Sequence, residues 1–394
     1  MKKILVVILL LLLCLPISVQ ATETGEIGGK SNIGDIGDIG QIEQNEINNL
    51  YDYITKIKTE NEILNDMDPG TFVKGFLRTG ENGLSFKKIS NYVIRFSFKE
   101  VIASMQLIGS LIIIAIVCSL LHNLQSAFDN ESLSNIAYFA CYGVMIVLIT
   151  KSFYVVVELA RVTIFNMTDF MVALMPVLMM LLASVGGFAE ATLLDPVIMG
   201  FATISSRIYV DIIIPIIFMS FVLQFVNNIS GDYKINNLTK ILKQIAIWIQ
   251  LIVLTLFIGV ITLRSIAAST IDQVTIKTAK FAVDNFIPVV GKALSDAIST
   301  VAGYSLLLKN AISGLGLVII IIIVLFPIIK LLIMAFLYKI AAALIEPISD
   351  KRTVECINSV GDSILLLMSC VISVSIMFFI MIAIVASTGR SIMG

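Results

Sequence analysis

Long apolar runs dominate the chain, and short polar stretches separate them. Each run reaches the roughly 17–25 residues that an α-helix needs to cross the hydrocarbon core of a bilayer. The pattern predicts an all-α fold: a polytopic helical membrane protein with about seven transmembrane helices, six or eight being the alternatives, and broken or amphipathic helices between them. The runs are Val101–Leu121, Ile136–Val157, Phe170–Phe188, Val197–Val226, Ile245–Leu263, Ile312–Leu337 and Ser363–Ser387.

The N-terminus has the pattern of a secretory signal peptide over residues 1–21. Lys2 and Lys3 precede a short apolar core, which ends at the helix-breaking Pro16. The small residue Ala21 then completes a cleavage site. Basic start, short apolar core and small-residue cleavage site are typical of a leader, and the core is too short for an ordinary span.

Residues 22–100 are predicted to form a short extracytoplasmic segment, mostly helical. It begins with a flexible linker rich in glycine and aspartate. An amphipathic helix is predicted over Gln44–Leu64, and a basic interfacial helix over Leu84–Glu100. The multi-span transmembrane domain is then expected over residues 101–394.

Two features of the sequence predict opposite orientations of the chain in the membrane. The signal peptide places residues 22–100 outside, whereas the positive-inside rule favours the cytoplasmic side for the basic residues before the first run. We follow the signal peptide and expect these residues to contact lipid headgroups from outside. They are Lys87, Lys88, Arg95 and Lys99.

The composition agrees with a membrane protein and excludes several functions. Of 394 residues, 58% are hydrophobic and 14% are charged, against about 25% charged residues in soluble domains. The net charge of −1 gives no electrostatic basis for binding nucleic acid. The sequence has one histidine, His122, and no phosphate-binding loop, dinucleotide fingerprint or zinc-protease motif. We therefore expect no enzyme activity and no cofactor, and the scattered cysteines are expected to be small buried hydrophobes.

Ionisable residues and prolines in the apolar runs are the first candidates for function, because charges are unfavourable inside a bilayer. Arg207 and Asp211 are spaced i, i+4 and can pair on one helix face. Pro196 and Pro215 bracket that segment and free backbone carbonyls that need new partners, and Lys330 lies within the sixth run. This set fits a polar path or coupling site between helices. It also fits an ion pair that fixes packing, with a lysine that reaches toward the interface.

The segment Phe286–Asn310 carries a small residue at every fourth position. On a helix these residues form a shallow groove where another backbone can approach closely. Lys292 and Asp296 can pair along its polar edge. The groove fits a contact within one bundle, and it fits equally the packing of subunits or the lining of a pore. The small residues are Gly291, Ser295, Ser299 and Gly303.

Several stretches of the chain resemble one known family, the stage III sporulation protein AE family of spore-forming bacteria. The resemblance extends from about Leu84 to the C-terminus, and the N-terminal linker is not part of it. Its most distinctive stretch is KFAVDNFIPVVGKALSDAISTVAGYSLLLKNAISGLG (Lys280–Gly316). The others are FKEVIASMQLIGSLIIIAIVCSLLHNLQSAF (Phe98–Phe128), NIAYFACYGVMIVL (Asn135–Leu148), DFMVALMPVLMMLLASVGG (Asp169–Gly187) and TLLDP (Thr192–Pro196).

The resemblance implies a multi-pass protein of the mother-cell membrane that surrounds the forespore. It implies membership of a secretion-like channel complex, often called a feeding tube, which forespore development requires. The expected partners are proteins of the same operon, including a cytosolic ATPase and ring-forming proteins, together with membrane lipid and, as an alternative, further copies of this chain. The resemblance brings no catalytic residues with it.

Two other classes of function stay open on the sequence. A stand-alone secondary transporter of small solutes would place a midplane site beside broken helices, although the chain shows no convincing internal repeat. A membrane-embedded enzyme would need Ser/His or paired Asp on facing helices, and His122 is poorly placed for this. The transporter site would consist of Arg207, Asp211, Lys292 and Asp296.

Overall fold

The computed structural model describes residues 54–55, 86–127, 131–185, 199–229, 236–286, 291–349 and 351–387, and the statements on structure below concern these residues. This part of the chain confirms the predicted all-α class. Its six long helices are α1 (Phe86–Ala127), α2 (Glu131–Ser184), α3 (199–229), α4 (Asn236–Phe286), α5 (Gly291–Ile345) and α6 (Lys351–Ser387).

Each of these helices contains a segment long and apolar enough to cross a bilayer, as expected of a multi-pass membrane protein. The described residues thus hold six candidate spans, which was the lower alternative to the predicted number of about seven. The segments are Val93–Leu120, Ala140–Ser184, Met199–Val226, Asn237–Arg264, Gly303–Ile345 and Lys351–Ser387.

The difference in number arises in α2, which contains both the second and the third apolar run. The residues that join the runs, 158–169, include neither glycine nor proline, so nothing interrupts the helical hydrogen bonds. Their inner face is buried, with Ala160 and Ile164 both 0% exposed. Glu158 and Arg161 lie on the outer face and form an ion pair at 4.0 Å. The two runs are therefore one helix.

A π-helical turn at Ile208–Ile213 lies within α3, just before Pro215. Proline lacks an N–H and clashes with the preceding turn, so a helix with an internal proline needs a local adjustment. Here the N–H of Ile214 bonds to the carbonyl of Tyr209, five residues back. Over its described residues, the fourth apolar run is thus one adjusted helix and not two half-helices.

Contacts between α1 and α5 show that these two helices run in the same direction. The contacting pairs advance by four residues in both helices at each step, which is the signature of parallel packing. They are Phe96 with Phe326, Glu100 with Lys330, and Ser104 with Met334.

Other contacts set the directions of the remaining helices. The α2/α3, α2/α5 and α5/α6 pairs are antiparallel, since residue numbers rise in one helix as they fall in the other, whereas α4 and α6 are parallel. Successive helices therefore alternate in direction along the whole described chain. The α2/α3 direction follows from the contacts Thr168–Ser206 and Phe153–Phe221, and the α2/α5 direction from Leu174–Gly316 and Ser152–Tyr338. The α5/α6 direction follows from Lys309–Val385 and Lys339–Asp362, and the α4/α6 direction from Gln250–Ser369 and Lys243–Asp362.

The core of the bundle is organised around α6, which contacts α2, α3, α4 and α5. Its span has 56% of residues buried, the largest share of the six. Its buried residues cover about two thirds of the helix circumference, as expected of a helix with neighbours on several sides. Three of the four described cysteines, Cys118, Cys356 and Cys370, are buried free thiols, as predicted, whereas Cys141 is only partly buried.

The N-terminal predictions fall partly outside the described residues. The signal peptide and the linker lie there, while Ile54 and Thr55, within the predicted helix Gln44–Leu64, are helical. α1 continues from Phe86 through the first run, so the predicted interfacial helix and the first span are one helix. The predicted domain boundary between residues 100 and 101 lies inside it.

Six spans of alternating direction place the start of α1, before its span begins at Val93, on the same side of the membrane as the residues after α6, whereas seven spans would place them on opposite sides. In a chain without native cysteines, we expect Ser90→Cys and Gly394→Cys to react with an impermeant thiol reagent from one side. Asp350→Cys should react from the other side. Labelling of positions 90 and 394 from opposite sides would contradict the arrangement.

Candidate functional site

Gln250 lies buried where three helices meet. The residue is 8% exposed, and its amide nitrogen donates to the Ser369 carbonyl at 2.7 Å and to the Ser373 hydroxyl at 2.5 Å. Its amide oxygen accepts from the Ser369 hydroxyl at 3.2 Å and from the Cys370 thiol at 3.9 Å. From α3, the Tyr209 hydroxyl donates to the Gln250 backbone carbonyl at 3.2 Å. We call these five residues the Gln250 junction.

The junction pairs both N–H donors of the glutamine amide. The amide oxygen accepts from the Cys370 thiol and shares the single Ser369 hydroxyl proton with the Leu366 carbonyl, which lies 2.7 Å from that hydroxyl. A paired network in a low-dielectric interior stabilises one arrangement, because a shift leaves polar groups unpaired. Its members are neutral and already bonded to one another. The chemistry therefore suits the positioning of α3, α4 and α6 rather than acid–base or nucleophilic catalysis.

The junction lies near the middle of the membrane-spanning segments. Gln250 is near the centre of the span Asn237–Arg264, and Ser369 is at the centre of Lys351–Ser387. Tyr209 belongs to the π-helical turn of α3, a feature that occurs frequently at functional sites. A polar junction and an irregular helix turn thus coincide at mid-depth.

A second polar contact joins α1 to α5. Lys330 forms an ion pair with Glu100 at 3.0 Å, and their side chains are 34% and 14% exposed. The predicted candidate Lys330 therefore pairs across helices instead of reaching toward the interface. The neighbouring contacts are the edge-to-face rings of Phe96 and Phe326, with centroids 4.8 Å apart, and the Ser104 hydroxyl bonded to the Met334 sulfur at 3.2 Å. We call this set the α1/α5 ladder.

The α5/α6 hairpin is held by charged groups at both ends. Lys309 is 0% exposed, and its ammonium donates to the Val385 carbonyl at 3.0 Å. Near the other end, Lys339 and Asp362 form an ion pair at 2.7 Å. Beside that pair, a Cβ placed on Gly361 would lie 3.1 Å from the Ala335 carbonyl oxygen, so glycine allows the two backbones to approach.

Arg207 and Asp211 do not form the predicted pair. Both are exposed on α3, and no ion pair within the described residues includes either of them. Pro215 is exposed on the same helix, and Pro196 lies outside the described residues. None of the described members of this set, Arg207, Asp211 and Pro215, lies in the buried interior.

The predicted small-residue groove lies at the start of α5, whose first residue is Gly291. The side chains of its central members lie outside the described residues. At Gly303 a Cβ would meet no described residue within 4 Å. At Gly316, by contrast, a Cβ would lie 2.5 Å from Leu174. The members not described are Lys292, Ser295, Asp296 and Ser299.

The sequence predictions named Lys330 but missed its partner Glu100 and all residues of the Gln250 junction. Gln250 was detectable as the one amide within an otherwise apolar run, and Ser369 and Ser373 as hydroxyls spaced i, i+4. Glu100 had been assigned to the interfacial helix, where a charge needs no partner. No local signal in the sequence joins Glu100 to a lysine on another helix.

Comparison with known proteins gives one consistent result. The family described as stage III sporulation protein AE matches residues 67–389. Stage III sporulation protein AE of Bacillus subtilis (strain 168) is 37% identical over 311 residues, which cover 79% of this chain and 78% of that protein. No solved structure matches the chain.

Replacing Gln250 tests whether the junction stabilises the bundle. Gln250→Leu leaves the Ser373 hydroxyl and the Ser369 groups without their amide partner. Hydrogen bonds between membrane helices contribute about 0.6 kcal/mol each on average, so we expect the free energy of unfolding to fall by about 1–2 kcal/mol. Unfolding in mixed detergent micelles measures this. Gln244→Leu, at an exposed position of the same helix, is the matched control, and an equal loss there would contradict the prediction.

Exchanging the charges of Glu100 and Lys330 tests the α1/α5 ladder. Glu100→Lys and Lys330→Glu should each destabilise the protein, because each brings like charges together. The double exchange should recover part of the stability, with a coupling energy of about 0.5–3 kcal/mol in a double-mutant cycle. Purely additive losses would show that the two charges do not interact.

Proposed function

The chain belongs to the stage III sporulation protein AE family, and from this we propose that it is a membrane-embedded component of a sporulation-specific, secretion-like channel complex. Family membership supports a role in sporulation. In the proposal, the protein lies in the mother-cell membrane around the forespore and contributes to the feeding tube that links the two cells. Its partners are a cytosolic ATPase and ring-forming proteins encoded in the same operon, and the ATPase supplies the energy.

The observation that carries the proposal is the packing of the bundle around α6. The most buried span of the described chain occupies the centre, and large side chains such as Tyr209, Phe221 and Phe378 are almost fully buried. Packing of this kind suits a solid structural unit. A conduit would then run between this chain and its neighbours, and the outer helix faces would contact them.

One such outer position is Gly303, in the first part of α5. A Cβ there would meet no described residue within 4 Å, whereas a Cβ on Gly316 of the same helix would meet Leu174 of α2. A small-residue position without a neighbour in its own chain is available to the backbone of another subunit. We propose that the groove from Gly291 to Gly303 is a contact with a partner of the complex.

The structure gives less support to a stand-alone transporter. Transporters of known type hold their substrate near the midplane, between helices whose broken ends face a shared site. Here Arg207 and Asp211 lie on the outer surface of α3, and the interior next to them is filled by the Gln250 junction. Two of the four charges of the predicted solute site, Arg207 and Asp211, thus face away from the bundle.

Two glycines of α5 allow loss of assembly to be separated from loss of folding. We expect the Gly303→Leu variant to reach its normal level in membranes, because a Cβ at this position meets no described residue. Pull-downs with this variant should recover about tenfold less of the partner proteins, which corresponds to about 1.4 kcal/mol of contact energy. Spore counts should fall with it. Gly316→Leu should instead lower the amount of protein, because its side chain meets the buried Leu174.

Ser295→Leu and Ser299→Leu should behave like Gly303→Leu. Ile321→Leu, at a position of the same helix that is 49% exposed, is the control and should change nothing. If all three groove variants kept normal pull-down and normal sporulation, the groove would not be a subunit contact.

A further inference from the structure

The outer surface of α3 carries two opposite charges among apolar side chains. Exposed residues recur along α3 at every third or fourth position, so they form one continuous stripe. Ile204 and Met219, toward the two ends of the stripe, are 59% and 57% exposed. We call this stripe the α3 face: Ile204, Arg207, Asp211, Pro215 and Met219.

The charged part of the α3 face lies deep in the membrane. Tyr209 bonds to the backbone of Gln250, which is near the centre of the span Asn237–Arg264. Arg207 and Asp211 are two residues before and two residues after Tyr209, which is about 3 Å along a helix axis in either direction. Both charges are therefore close to mid-depth.

Charges at this depth cannot be satisfied by lipid. The hydrocarbon core is about 30 Å thick, so a headgroup layer is about 15 Å away, beyond the reach of either side chain. Within the described chain, neither residue has an ion-pair partner, as shown above. Because intramembrane charges almost always pair with one another or with backbone carbonyls, a partner from another chain would satisfy these two charges, which no described residue pairs with.

We propose that the α3 face binds the α3 face of a second copy of this chain, with Arg207 of each copy paired to Asp211 of the other. One cation and one anion, a turn apart on the same face, complement an identical face in which the same two charges are present. Two copies inserted in the same orientation are related by a two-fold axis along the membrane normal. Their α3 helices then run parallel. The Arg207 and Asp211 backbones differ in depth by about 6 Å, a distance that the arginine side chain spans.

One further charge lies beside this face. Asp169 of α2 is exposed and follows Thr168, whose hydroxyl donates to Ser206, the residue before Arg207. In an antiparallel pair of helices, the residues after two contacting positions turn to the same side, so Asp169 lies at the edge of the α3 face. In the proposed dimer Arg207 pairs with Asp211 and not with Asp169, and this can be tested separately.

Cross-linking of the full-length chain in membranes tests the interface. In a background without the five native cysteines, two differently tagged copies carry Ile204→Cys or Met219→Cys and are exposed to mild oxidation. We expect a disulfide-linked dimer that contains both tags. Phe98→Cys, on α1 and 67% exposed, is the control position and should give no dimer.

Charge exchange then tests the pairing itself. Arg207→Asp and Asp211→Arg should each lower the cross-linked fraction by about tenfold, because like charges then meet at the interface. The double exchange should restore it. Exchange of Glu158 and Arg161, an exposed pair within α2, is the matched control and should leave it unchanged, as should Asp169→Asn. If the single variants do not accumulate, the uncharged variant Arg207→Gln with Asp211→Asn should accumulate and lose the cross-link.

Three results would overturn the proposal. The first is absence of the dimer at both cysteine positions, or failure of the double exchange to restore it. The second is loss of the cross-link in Asp169→Asn, which would assign the pairing to α2. The third is labelling of Ile204→Cys by a water-soluble thiol reagent as rapidly as Asp350→Cys, which would show that the α3 face borders water instead of a second copy.

Discussion

A polar group within a bilayer has no water to bond to, so a group of the protein has to satisfy it. In this chain that requirement links all six described helices. The Gln250 junction joins α3, α4 and α6; the Glu100–Lys330 pair joins α1 to α5; and Lys309 joins α5 to α6 through a backbone carbonyl. The bond from Thr168 to Ser206 adds α2. Apolar contacts alone would allow neighbouring helices to slide or rotate, whereas each polar contact allows one register.

The packing follows from these contacts. With the registers fixed, α5 and α6 come close enough for Gly361 to lie against a backbone carbonyl, and α2 and α5 close enough for Gly316 to lie against Leu174. Close approach of this kind supplies the van der Waals contacts that hold membrane helices together, since lipid tails are as apolar as the side chains themselves. Polar groups thus select the arrangement, and small residues allow it to be dense.

The same reasoning explains which features the sequence could predict. Apolar runs are local, so the helical class and the positions of the spans were readable directly. Whether two adjacent runs join is also local in principle, but it depends on the burial of residues such as Ala160, which only the tertiary fold defines. The partner of Lys330 was not readable at all, because Glu100 lies far away in the chain and its own surroundings resemble an interface. Gln250 was visible as an isolated amide, but its partners on α6 were not.

The requirement that polar groups in the bilayer find partners also applies to the outer faces of the helices. At Gly303 the open position permits a neighbour, but a glycine facing lipid leaves no polar side chain unsatisfied, so the position could also stay empty. Arg207 and Asp211 differ, because charges at mid-depth are unfavourable without a partner. A small-residue groove therefore indicates where contact is sterically allowed, whereas the charged α3 face indicates where contact would relieve unfavourable charges. For this reason α3 favours a second copy more strongly than the groove of α5, which is the more conspicuous feature in the sequence.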